Sequence, residues 1–231
     1  MLCLHTAIRN ALFLSLSINP ITADEKPLYI ASETIIVFDH GSVLHKTDKV
    51  SIYQFMSEEM EVSLADAQEI YSRLKKHLKS GGNEESFWKD YSKKNQHSFS
   101  QQWIAEFEAV RYQAIRDVPG MEALVSNLRS RGFQTAILSN VHKAQANRIK
   151  EHGMYDGFEP VLLSCDLGLR KPDPDIFKHL LNSIGAKFQN CIFIDNKMTN
   201  IEAARELGIE GIVFSSAGHL SRELQNRGIV L

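Results

Sequence analysis

Thr34-Ile35-Ile36-Val37-Phe38-Asp39, residues 34–39, is a β-branched apolar run that stops on a carboxylate. A short apolar run with no alternating polar residues is the pattern of a strand buried on both faces, as in a parallel sheet covered by helices. Toward the C-terminus the pattern repeats. Met121 to Arg131 reads as a helix ended by Gly132, Thr135-Ala136-Ile137-Leu138 as a strand, Val141 to Gly153 as a helix, and Val161-Leu162-Leu163 as a strand. Pro174 to Ile184 reads as a helix with Asp173 as N-cap and Pro at its first position. Cys191-Ile192-Phe193-Ile194 is the next strand, and Gly211-Ile212-Val213-Phe214 is the last. Between them, Thr199-Asn200-Ile201-Glu202 reads as a capping box that opens a helix ending near Gly208. Alternation of this kind implies right-handed crossovers, and so predicts an α/β fold: a Rossmann-like parallel sheet flanked by helices.

Residues 45–118 break the alternation, because no comparable strand occurs there and the interval reads as helices. Ser63-Leu64-Ala65-Asp66 is a capping box for a helix with Leu64, Ile70, Tyr71, Leu74 and Leu78 on one face, stopped by Gly81-Gly82. Phe99 to Ile115 continues helical. Phe87, Trp88, Trp103 and Phe107 are the expected core of this block. Lys75-Lys76-His77-Lys79 reads as a solvated helix face, with attraction of an anionic substrate as the lesser reading. The expected organisation is a discontinuous core of residues 34–44 and 119–231, with a helical cap over 45–118 inserted after the first strand.

The chain has 231 residues, with 26 Lys+Arg against 28 Asp+Glu. That near-balance argues against a nucleic-acid binder held by phosphate contacts. The cysteines, Cys3, Cys165 and Cys191, have no CxxC spacing, so zinc is not indicated and structural thiols are expected. Residues 1–23 run from Arg9 through the apolar Ala11–Ile18 to Ala23, ahead of the first acids Asp24 and Glu25. That order is that of a secretory signal peptide cleaved after Ala23, which implies export; a buried or frayed N-terminal helix in a cytoplasmic protein is the other reading. The apolar run is too short for a membrane span, which needs roughly 20 residues. Oligomeric state leaves no mark in the sequence.

In open parallel α/β sheets ligands bind beyond the carboxyl ends of the strands. The residues there are Asp39 after the first strand, Ser139-Asn140 after the second and Asp195-Asn196 after the fourth, with Lys171 in the loop following the third. An acid, a hydroxyl, a cation and a second acid suit phosphoryl transfer: a carboxylate attacks phosphorus while the hydroxyl and the ammonium hold the non-bridging oxygens. Two nearby carboxylates can also hold magnesium, which offsets their repulsion. Singly, each residue has an ordinary reading; Asp39 suits a turn and Ser139 a helix cap.

Phe38-Asp39-His40-Gly41-Ser42-Val43-Leu44, Leu138-Ser139-Asn140, Lys171-Pro172-Asp173-Pro174 and Phe193-Ile194-Asp195-Asn196 resemble, in order, the four motifs of the haloacid dehalogenase-like hydrolase superfamily, over residues 34 to about 214. The resemblance implies a magnesium-dependent phosphatase of small phosphorylated substrates. It makes Asp39 the nucleophile, Ser139 the ligand of the phosphoryl oxygens, Asn140 a shaper of that loop, and Lys171 the group that neutralises the attacking carboxylate and the transferred group. Asp195 becomes a Mg²⁺ ligand together with Asp39 and the Gly41 carbonyl, with Asn196 as an amide-oxygen donor.

Two positions depart from the family pattern. Gly41 stands where phosphatases of the family usually carry a second Asp, the general acid that protonates the leaving oxygen. Asn196 stands where a second acid is frequent, and its neutral oxygen weakens metal binding. His40 is titratable and adjacent to Asp39, but alternate strand side chains point to opposite faces, so its service as a substitute acid is the lesser reading; Asn200 suits either the site or a helix cap. These departures keep two other readings open: a metal-free 2-haloacid dehalogenase in which Asp39 attacks carbon, and a family member with impaired catalysis that binds a ligand.

Overall fold

The computed structural model describes residues 29–185 and 188–231; the expected leader over 1–23 lies outside them. β1 (Ile35–Phe38) is buried at every position. A turn with Ser42 at a φ of 67° leads into β2 (His45–Thr47). Four helices follow, α1 (Lys49–Glu59), α2 (Leu64–Lys79), α3 (Glu84–Asn95) and α4 (Gln101–Gln113), and then β3 (Ile115–Asp117). The rest alternates: α5 (Met121–Ser130), β4 (Gln134–Ser139), α6 (Lys143–Glu151), β5 (Val161–Leu163), the short α7 (Ser164–Leu167), α8 (Pro174–Ile184), β6 (Cys191–Asp195), α9 (Met198–Glu206), β7 (Glu210–Val213) and α10 (Ala217–Asn226).

Five of the strands form one parallel sheet in the order β5-β4-β1-β6-β7. Because side chains alternate along a strand, β1 feeds two cores. Ile36 and Phe38 pack with Ile137, Ile192 and Ile194 under α5, α6 and α10. Ile35 and Val37 pack with Ala136, Leu138 and Phe193 under α8 and α9. Both faces are covered, which is why these strands read as unbroken apolar runs. α1–α4 close around a separate cluster that includes Ile52, Met56, Leu74, Trp88, Trp103 and Phe107. The two described cysteines, Cys165 and Cys191, are free, and burial pushes the Cys191 thiol up to about 12.

Several local expectations need correction. The interval 45–118 does contain strands: β2 and β3 pair antiparallel, His45 opposite Asp117 and Thr47 opposite Ile115. Their sequences, His-Lys-Thr and Ile-Arg-Asp, are mostly exposed and contain Ile115 as their one apolar residue, too little to mark a strand. Helix α4 starts at Gln101, not Phe99, because Ser100 Oγ accepts the Trp103 N–H at 3.0 Å; Ile115 belongs to β3. The Ser63 cap on α2 is present, its Oγ accepting from Asp66 N at 3.1 Å, yet Leu64 is 52% exposed and Ala67 takes its place on the buried face. The capping box at Thr199 does not form: α9 starts at Met198 and its N-cap, Lys197, makes no side-chain cap bond. Asp195 organises that first turn instead.

Candidate active site

The parallel register brings the strand ends together. Phe38 sits opposite Ile137 on one side and Ile194 on the other, so Asp39 and Asp195 leave adjacent strands at the same level and Ser139 lies one step beyond. The Asp39 N–H still donates to the Ile194 carbonyl at 2.8 Å, which fixes Asp39 to the sheet edge.

Lys171 ties the strand ends into one unit. Its Nζ donates to Asp39 Oδ1 at 2.9 Å, Asp195 Oδ2 at 2.7 Å and the Leu138 carbonyl at 2.6 Å. An ammonium has three N–H donors, so all are committed. The loop that carries it is anchored by Asn140, whose Nδ2 donates to the Lys171 carbonyl at 2.7 Å and whose Oδ1 accepts the Lys171 N–H at 2.9 Å. The buried trio of Asp39, Asp195 and Lys171 carries two carboxylates against one ammonium. Burial raises the Asp39 carboxyl above its ordinary value; Lys171 opposes this and Asp195 adds to it.

Asp195 is fully buried, and each of its oxygens has partners. Oδ2 accepts from Lys171 and from Asn200 Nδ2 at 2.8 Å, while among the described residues Oδ1 accepts only the Lys197 N–H, at 2.8 Å. Asn200, ambiguous in the sequence, is therefore a positioning residue for Asp195; an Asn one helical turn after a strand-end Asp was the available signal. Asn200→Ala is expected to lower stability by about 1.5–3 kcal/mol, the range for a buried hydrogen bond to a charged group. Urea denaturation measures this, and an unchanged midpoint refutes the role.

Ser139 is buried at the end of β4, and its hydroxyl makes no hydrogen bond among the described residues, which leaves it available to a ligand. The Gly41 carbonyl also accepts nothing among the described residues, since the turn uses Ser42 N to His45 O and His45 N to His40 O. Asn196 is exposed and makes no hydrogen bond to Asp39, Asp195 or Lys171. His40 faces away into the core, stacked on His45 with ring centroids 4.6 Å apart and edge-on to Tyr155. Burial, with His45 next, lowers its pKa to about 3, so it stays neutral at neutral pH and does not replace the missing acid. His142 caps α6, accepting the Gln145 N–H at 3.4 Å, and burial holds its pKa down at about 4. Arg170 is exposed.

These residues fit a hard divalent cation through oxygen donors alone. Asp195 Oδ1 keeps a lone pair, the Gly41 carbonyl is unpaired, and Asp39 has a second oxygen beyond the one on Lys171. Among the described residues no three His, Cys, Asp or Glu side chains gather into a metal cluster, so the charge available to a cation here comes from two carboxylates. No helix of the described residues is long and apolar enough to cross a membrane.

The model of a known family, haloacid dehalogenase-like hydrolase, matches residues 34–208. A flavin mononucleotide hydrolase of Arabidopsis thaliana is 31% identical over 111 residues, 48% of this chain and 45% of the relative. A sesquiterpene phosphatase of Aspergillus oryzae is 29% identical over 93 residues, 40% of this chain and 47% of the relative. The match thus spans about half the length of these two relatives. A glyceraldehyde 3-phosphate phosphatase of Pyrococcus furiosus is 23% identical over 205 residues, 83% of this chain and 84% of the relative. The fold is shared with a HAD family enzyme of Bacteroides thetaiotaomicron, solved in complex with magnesium and inorganic phosphate: TM-score 0.64 at 21% identity, covering 81% of this chain and 98% of that one.

Proposed function

This chain belongs to the haloacid dehalogenase-like hydrolases, and from that membership we propose that it is a magnesium-dependent phosphatase of small phosphorylated metabolites, acting through an aspartyl-phosphate on Asp39. The observation that carries the reading is the Lys171 ammonium held between Asp39 and Asp195, with an unpaired hydroxyl on Ser139 beside them. Two relatives named phosphatases and a third named a flavin mononucleotide hydrolase support it.

In the first half-reaction an Asp39 carboxylate oxygen attacks phosphorus and the bond from phosphorus to the leaving oxygen breaks. Ser139 and Lys171 hold the non-bridging oxygens. All three Lys171 donors are engaged in this structure, so contact with a phosphoryl oxygen requires exchange of one, most simply the bond to Asp39 as that oxygen becomes phosphorylated. In the second half-reaction water attacks phosphorus, releases inorganic phosphate and restores Asp39. Magnesium, held by Asp39, Asp195 and the Gly41 carbonyl with Asn196 as an amide donor, would supply charge neutralisation for the incoming phosphate. The helices α1–α4 serve as the cap that closes over the substrate and excludes bulk water.

With glycine at position 41, the leaving oxygen takes its proton from solvent. A Cβ at Gly41 would meet nothing within 4 Å, and its φ lies outside the left-handed range, so an aspartate fits there. Gly41→Asp is expected to raise kcat on alkyl phosphates by about 10²-fold, the lower end of general-acid contributions. It should change p-nitrophenyl phosphate turnover little, because that leaving group needs no proton. Steady-state kinetics on both substrates, with and without chelator, test the reading. Phosphate release that is indifferent to magnesium, or halide release from 2-haloacids in place of phosphate release, overturns it.

A further inference from the structure

A cavity of about 270 Å³ lies between α2, the start of α1, α4, α6 and the strand-end loops. Its lining joins Asn140 and Lys197, next to the catalytic groups, to Lys49, Lys75 and Lys79 on the helical side, and no Asp or Glu is among the lining residues. Lys49, Lys75, Lys79 and Lys197 have no ion pair among the described residues. Two arginines in the wall are already compensated: Arg111 pairs with Glu84 at 2.9 Å and Arg148 with Glu108 at 3.0 Å. The lysines are close enough to disfavour one another's charge, since Lys75 is lowered first by burial and then by Lys49 and Lys79.

Uncompensated like charges around a concave site cost energy unless a ligand neutralises them. The phosphoryl group undergoing transfer is already provided for by Ser139, Lys171 and the cation site. The four lysines line a cavity that adjoins the strand-end loops through Asn140 and Lys197, and the leaving group is assigned to that space. Resting on the phosphatase reading above, we infer that the preferred substrate is a small phosphate monoester carrying a second anionic group, a further phosphate or a carboxylate, which the Lys49–Lys75–Lys79–Lys197 cluster receives. The volume suits a small metabolite and not a polymer.

Calorimetric binding to the Asp39→Asn protein, and to the unaltered protein in chelator, tests this without turnover. The probes are two matched pairs: 3-phosphoglycerate against glycerol 3-phosphate, and fructose 1,6-bisphosphate against fructose 6-phosphate. The member with the extra anion is expected to bind about tenfold or more tightly in at least one pair, as one partly screened charge interaction allows. The pair that responds tells carboxylate from phosphate. Lys75→Gln/Lys79→Gln should bring the preference toward unity. Equal affinity within both pairs, or a preference that survives the double substitution, overturns the inference. A preference in binding without magnesium-dependent turnover of any probe leaves the cluster assignment standing and refutes the phosphatase reading.

Discussion

Lys171→Met is expected to cost about 3–5 kcal/mol of stability, the range for removing one partner from a buried ion pair. It should also abolish turnover. The substitution keeps an apolar stem of similar length but leaves Asp39, Asp195 and the Leu138 carbonyl without the one cation that joins them. The pH dependence has a definite sign. Burial already raises the Asp39 carboxyl, and Asp195 adds to that while Lys171 opposes it. Without Lys171 the folded-state Asp39 carboxyl holds its proton more tightly than in the unfolded chain. Groups raised in this way lower stability as pH climbs past the unfolded-state value. The deficit is therefore fullest at neutral pH and shrinks as pH falls toward the ordinary carboxylate range. Urea denaturation of both proteins at neutral and mildly acid pH measures this. A deficit that grows on acidification contradicts the geometry.

Asp39→Asn is the second large effect. The amide is nearly isosteric but lacks the nucleophilic oxygen anion, so turnover should fall by on the order of 10⁴ or more, as when other covalent nucleophiles are removed. The fold should survive, because Asp39 sits at a strand end and its main-chain bond to Ile194 does not involve the side chain. Circular dichroism together with phosphate release separates the two. A folded Asp39→Asn protein with ordinary turnover removes the proposed nucleophile.

The alternation of short apolar runs with helices was legible because β1, β4 and β6 are buried on both faces and carry little polar punctuation. The convergence of Asp39, Ser139, Lys171 and Asp195 was legible for a related reason: a parallel sheet delivers all its strand ends to one edge. What escaped depends on three-dimensional register. β2 and β3 are three residues each, two of them exposed and polar in either strand, and their pairing comes from the chain leaving and re-entering the core, not from a propensity. Asn200 looked equally suited to capping, and only the path of α9 turns its amide onto Asp195. The lysine cluster draws on positions 49, 75, 79 and 197, too far apart in sequence to form a motif. Lys75 and Lys79 read as a solvated face; the fold makes them part of a cavity wall.

The central claim is a covalent phosphoryl group on Asp39. Mixing enzyme, magnesium and a phosphate monoester, quenching in acid on the timescale of one turnover, and mapping peptide masses tests it directly. The account predicts one added phosphoryl group on the peptide containing Asp39, absent without magnesium and absent in Asp39→Asn. Phosphate release at full rate with Asp39 unmodified throughout, or the phosphoryl group on another residue, would contradict it.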